Sequence, residues 1–304
     1  MTDIIIIGAG PAGLTAAIYS RRAQKSVLII EKEAFGGQMT YSPKIENYPG
    51  MISVSGVELA DKMVEQVLAM GAEIELDEAA GIEVGEDDTK RVICKSGAVY
   101  EARAVIIAAG AKHRQLGIER EDDFVGRGIS YCAVCDGAFY KGRHVAVVGG
   151  GNSALQEAVS LSELCSKVTI VQNLNFLTGE RSLADLVLAK ENVEVIYGAT
   201  VKAIIADDSG TDDFRGIIIS RGDAEEELCC DGAFVAIGLA PENTPFESVT
   251  SLDEAGYIMS DETCYSESGG IFAAGDCRTK NVRQIATAVA DGAVAALNAV
   301  RYLN

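Results

Sequence analysis

The fold is decided by the stretch Ile4-Ile5-Ile6-Ile7-Gly8-Ala9-Gly10-Pro11-Ala12-Gly13. A run of four isoleucines is typical of a strand buried in a parallel sheet, and the apolar residues after Gly13 recur at helical spacing. The G-x-G-x-x-G turn between them lets the backbone approach a pyrophosphate at the helix N-terminus. A second apolar run ends in Glu31, 18 residues after Gly13, where a carboxylate can bind a ribose hydroxyl. The sequence therefore predicts a dinucleotide-binding βαβ unit at the start of the chain.

The same pattern recurs in the middle of the chain. Apolar residues 145–148 precede Gly149-Gly150-Gly151-Asn152-Ser153-Ala154, and a predicted helix to about Leu164 and a strand over 168–171 follow. Apolar runs ending at Gly110, Gly238 and Gly275 predict three further buried strands. The acidic segments 86–88, 207–213 and 223–227 predict solvated hairpin tips. We therefore expect an α/β protein with two Rossmann-like three-layer (ββα) nucleotide-binding domains.

Length and composition limit the class of protein. A chain of 304 residues suits two domains, and 48% hydrophobic with 23% charged residues is a globular composition. The apolar run 4–7 is too short to span a membrane and has no basic region before it, so we expect no membrane partner and a cytoplasmic location. The formal charge of -19 argues against nucleic acid as a partner, because phosphate contacts need clustered Lys and Arg.

The eight cysteines include one pair at C-x-x-C spacing, Cys132 and Cys135. A C-x-x-C motif lowers the pKa of a thiol, which provides the thiolate that disulfide exchange requires. Half of a zinc site is an alternative, but zinc normally needs four ligands, and the separate His113 and His144 do not complete such a set. An inert structural pair is the third possibility. Redox chemistry is favoured, no metal site is predicted, and the other six cysteines are expected to be free thiols.

The segment around this pair resembles the redox motif of a known family. The stretch Gly128-Ile129-Ser130-Tyr131-Cys132-Ala133-Val134-Cys135-Asp136-Gly137 is similar to that of the low-molecular-weight thioredoxin reductases. The segments 36–38, 46–50, 106–110, 234–238 and 275–284 resemble the same family in order and spacing, so the resemblance covers nearly the whole chain. It implies a FAD-binding domain in two parts, 1–114 and 245–304. Between them it implies an inserted NAD(P)-binding-like domain, 115–244, that carries the C-x-x-C. Similar enzymes are homodimers.

The resemblance also implies a role for individual residues. Cys135 would face the flavin, Cys132 would attack the disulfide of thioredoxin, and Asp136 would protonate the leaving thiolate from a carboxyl with a raised pKa. A helix N-cap is the alternative role for Asp136. The residues implied to contact FAD are Gly8, Gly10, Pro11, Ala12, Gly13, Glu31, Lys32, Gly37, Gln38, Asn47, Gly110, Gly275, Asp276, Arg283, Gln284 and Ile285.

The second nucleotide motif departs from the NADPH-dependent members of the family. Those members have a histidine and two arginines at the end of the second strand, and another arginine after three intervening residues. Here the corresponding positions hold Gln172, Asn173, Leu174 and Thr178. The cations that would pair with the 2′-phosphate are missing. The pattern resembles the ferredoxin-dependent flavin thioredoxin reductases, so we expect reduced ferredoxin as the donor, with NADPH, NADH or another low-potential donor as alternatives.

The charge of the chain argues against ferredoxin as a partner, and two other functions would fit the same fold. Ferredoxins are acidic, so a chain at -19 would repel one unless basic residues gather on one face. The candidates for such a face are Lys141, Arg143, Arg278, Lys280 and Arg283. A flavin-dependent small-molecule dithiol oxidase would share the fold and the cysteine pair, but it would react rapidly with oxygen. A redox sensor that binds FAD without turning over thioredoxin is the alternative that is not an enzyme.

Overall fold

A computed structural model describes residues 1–42, 45–207, 213–222 and 224–304. These residues form two compact units. Unit 1 contains Met1–Lys112 and Ala240–Asn304, and unit 2 contains His113–Leu239. The functional domain boundaries 114/115 and 244/245 stay predictions. Within the described ranges, no helix combines the length and the apolar character needed to cross a membrane.

The first part of unit 1 builds most of a mixed sheet. Its elements are β1 (Thr2–Ile7), α1 (Pro11–Arg22), β2 (Val27–Glu31), α2 (Gly56–Ala69), β3 (Glu73–Leu76), β4 (Ala79–Val84), β5 (Lys90–Cys94) and β6 (Val99–Ile107). Strand β1 pairs in parallel with β2 and β6, and β2 pairs in parallel with β3. Strands β4, β5 and β6 form an antiparallel meander. Ile4 and Ile6 pack in one core cluster and Ile5 and Ile7 in another, which explains the uniformly apolar β1.

Unit 2 also combines parallel strands with three antiparallel strands. Its elements are β7 (Lys112–His113, which begins at the last residue of unit 1), α3 (Glu121–Phe124), β8 (Ile129–Ser130), α4 (Ala133–Asp136), β9 (His144–Val148), α5 (Asn152–Ser162), β10 (Lys167–Gln172), α6 (Arg181–Leu188), β11 (Val193–Tyr197), β12 (Thr200–Ala206), β13 (Phe214–Arg221), β14 (Ala224–Cys229), β15 (Gly232–Val235) and β16 (Leu239–Ala240, which ends in unit 1). The parallel sheet has the order β11-β10-β9-β15-β8, and β12-β13-β14 form an antiparallel sheet. The predicted second βαβ unit is therefore confirmed as β9, α5 and β10.

The last part of the chain completes unit 1. Strand β17 (Ile271–Ala273) pairs in parallel with the end of β6, with Ile271 opposite Val105. Helix α7 (Ile285–Leu303) lies so close to α1 that a Cβ at Gly292 would be 2.1 Å from the carbonyl oxygen of Ala12. The predicted α/β class with two Rossmann-like sheets is confirmed.

The acidic segments are only partly the hairpin tips that were predicted. Residues 86–88 lie in the turn between β4 and β5, as predicted. Residues 208–212 and 223 lie outside the described residues. For residues 225–227 the prediction is wrong, because they belong to β14 and pair with β13. Since β14 is an outer strand and these three residues are exposed, the glutamates stay in water.

Candidate functional site

The glycine turn of unit 1 forms an open cradle at the start of α1. A Cβ at Gly13 would lie 1.9 Å from the carbonyl oxygen of Gly8, so only glycine allows this tight packing. Gly10, the N-cap of α1, has no neighbouring atom within 4 Å of the position of a Cβ. Pro11 and Ala12 begin the helix. The turn thus leaves backbone open to an anionic ligand at the N-terminus of a twelve-residue helix.

Glu31 lies beside this turn at the end of β2. Its carboxylate accepts hydrogen bonds from the backbone N–H groups of Ala9 at 2.6 Å and Glu33 at 2.9 Å. The next residue, Lys32, forms an ion pair with Glu242. Gly8, Glu31 and Lys32 line a cavity of about 350 Å³ within unit 1. This arrangement has the acidic residue and the space that an adenosine ribose requires.

The side chain of Asp276 in unit 1 has a buried oxygen, Oδ1, without a hydrogen-bond partner in the described chain. Burial raises the pKa of this carboxyl to about 6, against the lowering effect of Lys280 and Arg283. Its neighbour Gly275 donates a backbone hydrogen bond to Asp291 at 2.9 Å. Because an unpaired buried acceptor is costly, Asp276 fits a ligand that brings a hydroxyl donor.

Other predicted cofactor residues meet although they are distant in sequence. A Cβ at Gly37 would lie 3.4 Å from Gly10 Cα, and the side chain of Asn47 donates to that of Gln284 at 3.2 Å. Gln284 is the N-cap of α7, and Ile285 is the first residue of that helix. The guanidinium carbon of Arg283 lies 4.1 Å from the centre of the Tyr257 ring. Gln38 is exposed on a short 3-10 helix, and Gly110 follows β6 with a φ of 70°. The residues of unit 1 therefore fit a flavin dinucleotide.

The predicted redox pair lies in unit 2 at the start of α4. Cys132 and Cys135 are joined by a disulfide, with their Cα atoms 5.3 Å apart. Cys132 is the N-cap of α4, and its sulfur accepts a hydrogen bond from the backbone N–H of Cys135 at 3.2 Å. Both cysteines are half-buried. The two sulfurs are thus close enough to form and break a disulfide, as thiol–disulfide exchange requires.

Asp136 is buried directly behind this disulfide. The hydroxyl of Ser130 donates a hydrogen bond to its Oδ2 atom at 2.7 Å, while Oδ1 is buried and has no partner within the described ranges. Burial raises the pKa of Asp136, and the bond from Ser130 opposes that rise. Asp136 is the N-cap residue of the short 3-10 helix Gly137–Tyr140, but its side chain makes no capping hydrogen bond there. The geometry therefore suits the predicted proton donor.

Sequence reasoning missed a second carboxyl, that of Glu157 on α5, which is half-buried and has a buried Oε2 atom. It accepts a hydrogen bond from the backbone N–H of Ala133, between the two cysteines. Burial, followed by the charge of Asp136, raises the pKa of Glu157 to about 8. The available signal was its spacing, three residues after Ala154 and four before Leu161, which both lie on the buried face of α5.

The glycine turn of unit 2 is covered by its own chain. A Cβ at Gly150 would lie 2.5 Å from the amide carbon of Gln172. That amide donates to the carbonyl of Phe176 at 3.0 Å, and the backbone N–H groups of Thr178 and Gly179 donate to the carbonyl of Gly150 at 2.8 and 2.9 Å. Arg181, the nearest cation along the chain, has a side chain that is 94% exposed. Gln172 thus fills space beside the turn and supplies no charge for a phosphate.

The remaining cysteines are as predicted, whereas two of the basic residues suggested for a surface are not exposed there. The six other cysteines are free thiols, as predicted, and only Cys229 is exposed. The suggested basic face is wrong for Arg278 and Lys280. Arg278 is 1% exposed, and both side chains form ion pairs with Asp291 at 2.8 and 2.9 Å. These two cations are neutralised inside unit 1 and are not available to a partner.

Two dinucleotide folds, one with an open cradle and one with a redox disulfide, define a flavoprotein disulfide oxidoreductase. The sequence profile of the family described as "Pyridine nucleotide-disulphide oxidoreductase" matches residues 2–292. The thioredoxin reductase of Listeria innocua is 43% identical over 99% of this chain and 93% of its own length. That of Bacillus subtilis is 42% identical over 99% and 94%. The crystal structure of thioredoxin reductase from Streptococcus pyogenes superposes with a TM-score of 0.92 and 41% identity, covering 100% of this chain and 98% of that chain.

The chain belongs to the low-molecular-weight thioredoxin reductase family, whose members bind FAD. The names of these relatives do not distinguish one electron donor from another, and they give no support to the ferredoxin-dependent branch.

Proposed function

We propose that this protein is a FAD-dependent thioredoxin-disulfide reductase whose redox pair is Cys132 and Cys135. The observation that carries the proposal is the disulfide between these residues, followed directly in the sequence by Asp136, a buried carboxyl whose pKa is raised by burial. Bound FAD supplies electrons to this disulfide. The cofactor residues proposed are those predicted from the family resemblance, and the orphaned Oδ1 of Asp276 and the open space at Gly10 support them.

The exchange chemistry follows from the two thiols. The thiolate of Cys132 attacks one sulfur of the thioredoxin disulfide, which forms a mixed disulfide and releases the other sulfur of thioredoxin. Cys135 then loses its proton and attacks the sulfur of Cys132. This step re-forms the Cys132–Cys135 bond and releases the second sulfur of thioredoxin as a thiolate, and the two thioredoxin sulfurs take protons from water. Asp136 accepts the proton of Cys135 in this direction and donates one when the disulfide is opened again.

For the electron donor, we propose reduced ferredoxin in preference to NADPH. The absence of arginines at positions 173, 174 and 178 and the position of Gln172 over Gly150 support this choice. The net charge of -19 and the neutralised Arg278 and Lys280 count against it. NADPH or NADH is the second candidate, because the glycine turn before α5 is retained.

One experiment separates these functions. NADPH, NADH and reduced ferredoxin are added in turn to the FAD-loaded protein without oxygen, and the flavin absorbance is followed. Ferredoxin should bleach the flavin rapidly and the two nucleotides slowly. Rapid bleaching by micromolar NADPH would contradict the choice of donor. Insulin reduction coupled through thioredoxin then tests the reductase activity, and fast oxygen consumption with a small dithiol would identify an oxidase instead.

The proposal includes a homodimer in the cytoplasm, which the family resemblance implies. Light scattering on the FAD-loaded protein tests the dimer, and a particle with the mass of one chain would contradict it.

A further inference from the structure

The half-buried carboxyl of Glu157 has no role in the exchange chemistry described above. It lies on α5, and its Oε2 atom is buried and accepts no hydrogen bond in the part of the chain that the structure describes. The bond from the N–H of Ala133 ties it to the turn between the two cysteines. Among the described residues, two carboxyl oxygens near the disulfide segment thus lack a hydrogen-bond partner, one on Asp136, which follows Cys135, and one on Glu157, which is bonded to Ala133.

Few charges act on Glu157. Helix α5 packs against α4, α6, β9 and β10. The titratable groups of those elements include His144, which is bound to Thr169, Lys167, which is paired with Glu194, and Arg181, which is paired with Asp185. Asp136 on α4 is the one described charge that raises the pKa of Glu157. The charge that reaches Glu157 therefore comes from the acid beside the redox pair.

We propose that Glu157 is a positioning residue for disulfide exchange. It forms with Asp136 a carboxyl pair that carries at most one negative charge at neutral pH, and its bond to Ala133 fixes the pair to the turn between the cysteines. The inference rests on the proposed function, because it assumes that Cys132 and Cys135 are the redox pair. Like charges close together in a desolvated site cannot both ionise readily, so the second proton is retained.

The pair lets Asp136 give up its proton while Glu157 stays neutral, so the two carboxyls together add no more than one negative charge near the sulfurs. Opening the disulfide takes two electrons from the bound cofactor and breaks the bond between the sulfurs of Cys132 and Cys135. One sulfur becomes a thiolate, and the other takes the proton of Asp136. Asp136 then holds the single negative charge of the pair, while Glu157 stays neutral. On oxidation by the substrate, Cys135 returns its proton to Asp136 and the disulfide re-forms.

Infrared spectroscopy of the FAD-loaded protein tests this inference through the protonated carboxyl band of Glu157. The band is followed from pH 6 to 10 in the disulfide state and after reduction with dithiothreitol. Glu157→Gln should remove it, and Glu163→Gln should not, since Glu163 is an exposed glutamate at the end of the same helix. Reduction should raise the midpoint pH of the band by about one unit because a thiolate forms nearby. Asp136→Asn should lower the midpoint, because it removes the charge that raises it.

The outcomes separate this inference from the proposed function. A midpoint that neither reduction nor Asp136→Asn moves would overturn the role of Glu157, even if thioredoxin is reduced normally. If Glu157→Gln does not fold, Glu157→Asp replaces it. A displaced band then supports the proposal, and an unchanged band overturns it. The alkylation rate of Cys132 by iodoacetamide gives a second readout. It should show two inflections with pH in the natural protein and one in Glu157→Gln.

Discussion

The side chain of Gln172 lies across Gly150, so close that a Cβ on that glycine would be 2.5 Å from the Gln172 amide carbon. The amide is satisfied by Phe176 and Asn173 within the same segment, at 3.0 and 3.2 Å. The second nucleotide fold therefore keeps the glycine turn of a dinucleotide site, but the uncharged side chain of Gln172 lies against that turn. This relationship makes the electron donor the most informative property to test.

Restoring the missing cations should change how the protein responds to NADPH. In the variant with Gln172→His, Asn173→Arg, Leu174→Arg and Thr178→Arg, we expect bleaching of the flavin by low concentrations of NADPH to accelerate by about tenfold or more, since charged hydrogen bonds to a phosphate are strong. NADH should gain less because it lacks the 2′-phosphate. Asn175→Arg adds a cation to the same segment and serves as the control. Equal gains with both nucleotides would contradict the assignment of these positions.

Replacing either cysteine of the pair should stop turnover without loss of the cofactor. We expect Cys132→Ser and Cys135→Ser each to abolish thioredoxin-coupled insulin reduction, because exchange needs both sulfurs. The flavin spectrum should be unchanged, since both cysteines lie in unit 2 and the proposed cofactor residues in unit 1. Cys229→Ser, at an exposed free thiol, is the matched control. Full activity in either pair variant would refute the assigned redox centre.

Asp276 should contribute directly to FAD affinity. Asp276→Ala removes the acceptor that has no partner in the described chain, and we expect FAD to bind about 5- to 150-fold more weakly, the equivalent of about 1–3 kcal/mol. Titration of the cofactor-free protein with FAD, followed by flavin fluorescence, measures the change. Glu254→Ala, at an exposed position in the same part of the chain, should bind like the natural protein. An unchanged Kd for Asp276→Ala would remove this residue from the cofactor site.

Glu157 should make stability depend on pH in a defined direction. Its pKa is raised from 4.5 to about 8, so between these values the folded protein holds a proton that the unfolded chain has lost. Stability must then fall as pH rises through this range, by up to about 1.4 kcal/mol per pH unit from this group. The Tm of Glu157→Gln relative to the natural protein should therefore increase from pH 5.5 to pH 8. Glu163→Gln should show a constant difference, and a constant difference for Glu157→Gln would contradict the raised pKa.

The sequence predicted the parts of the fold that local patterns determine. The buried isoleucines of β1 and the two glycine turns each occupy the position that their pattern indicated. The contact between Asn47 and Gln284 joins residues 237 positions apart, and only the resemblance to a family had placed both at one ligand. No periodicity in the sequence shows that such distant residues meet.

Charged residues were the main source of error. Arg278 and Lys280 look like a basic surface in the sequence, but Asp291 on α7 pairs with both inside unit 1. Glu157 looks like a solvated helix residue, yet its Oε2 atom is buried and its carboxyl is bonded to Ala133 at the start of α4. In each case, burial depends on a helix that is remote in sequence or separated by a loop. Charge and spacing alone do not determine whether such a side chain meets water.

The late return of the chain to unit 1 also sets an order for biosynthesis. The parallel sheet of unit 2 is complete once β15 ends at Val235, whereas unit 1 lacks β17 and α7 until Leu303 has left the ribosome. Because chains fold as they emerge, the unit with the disulfide can form while the other is still an open sheet without its last helix. A chain cut short between Val235 and Ile285 would thus have its redox cysteines in place but would lack α7, which packs on α1.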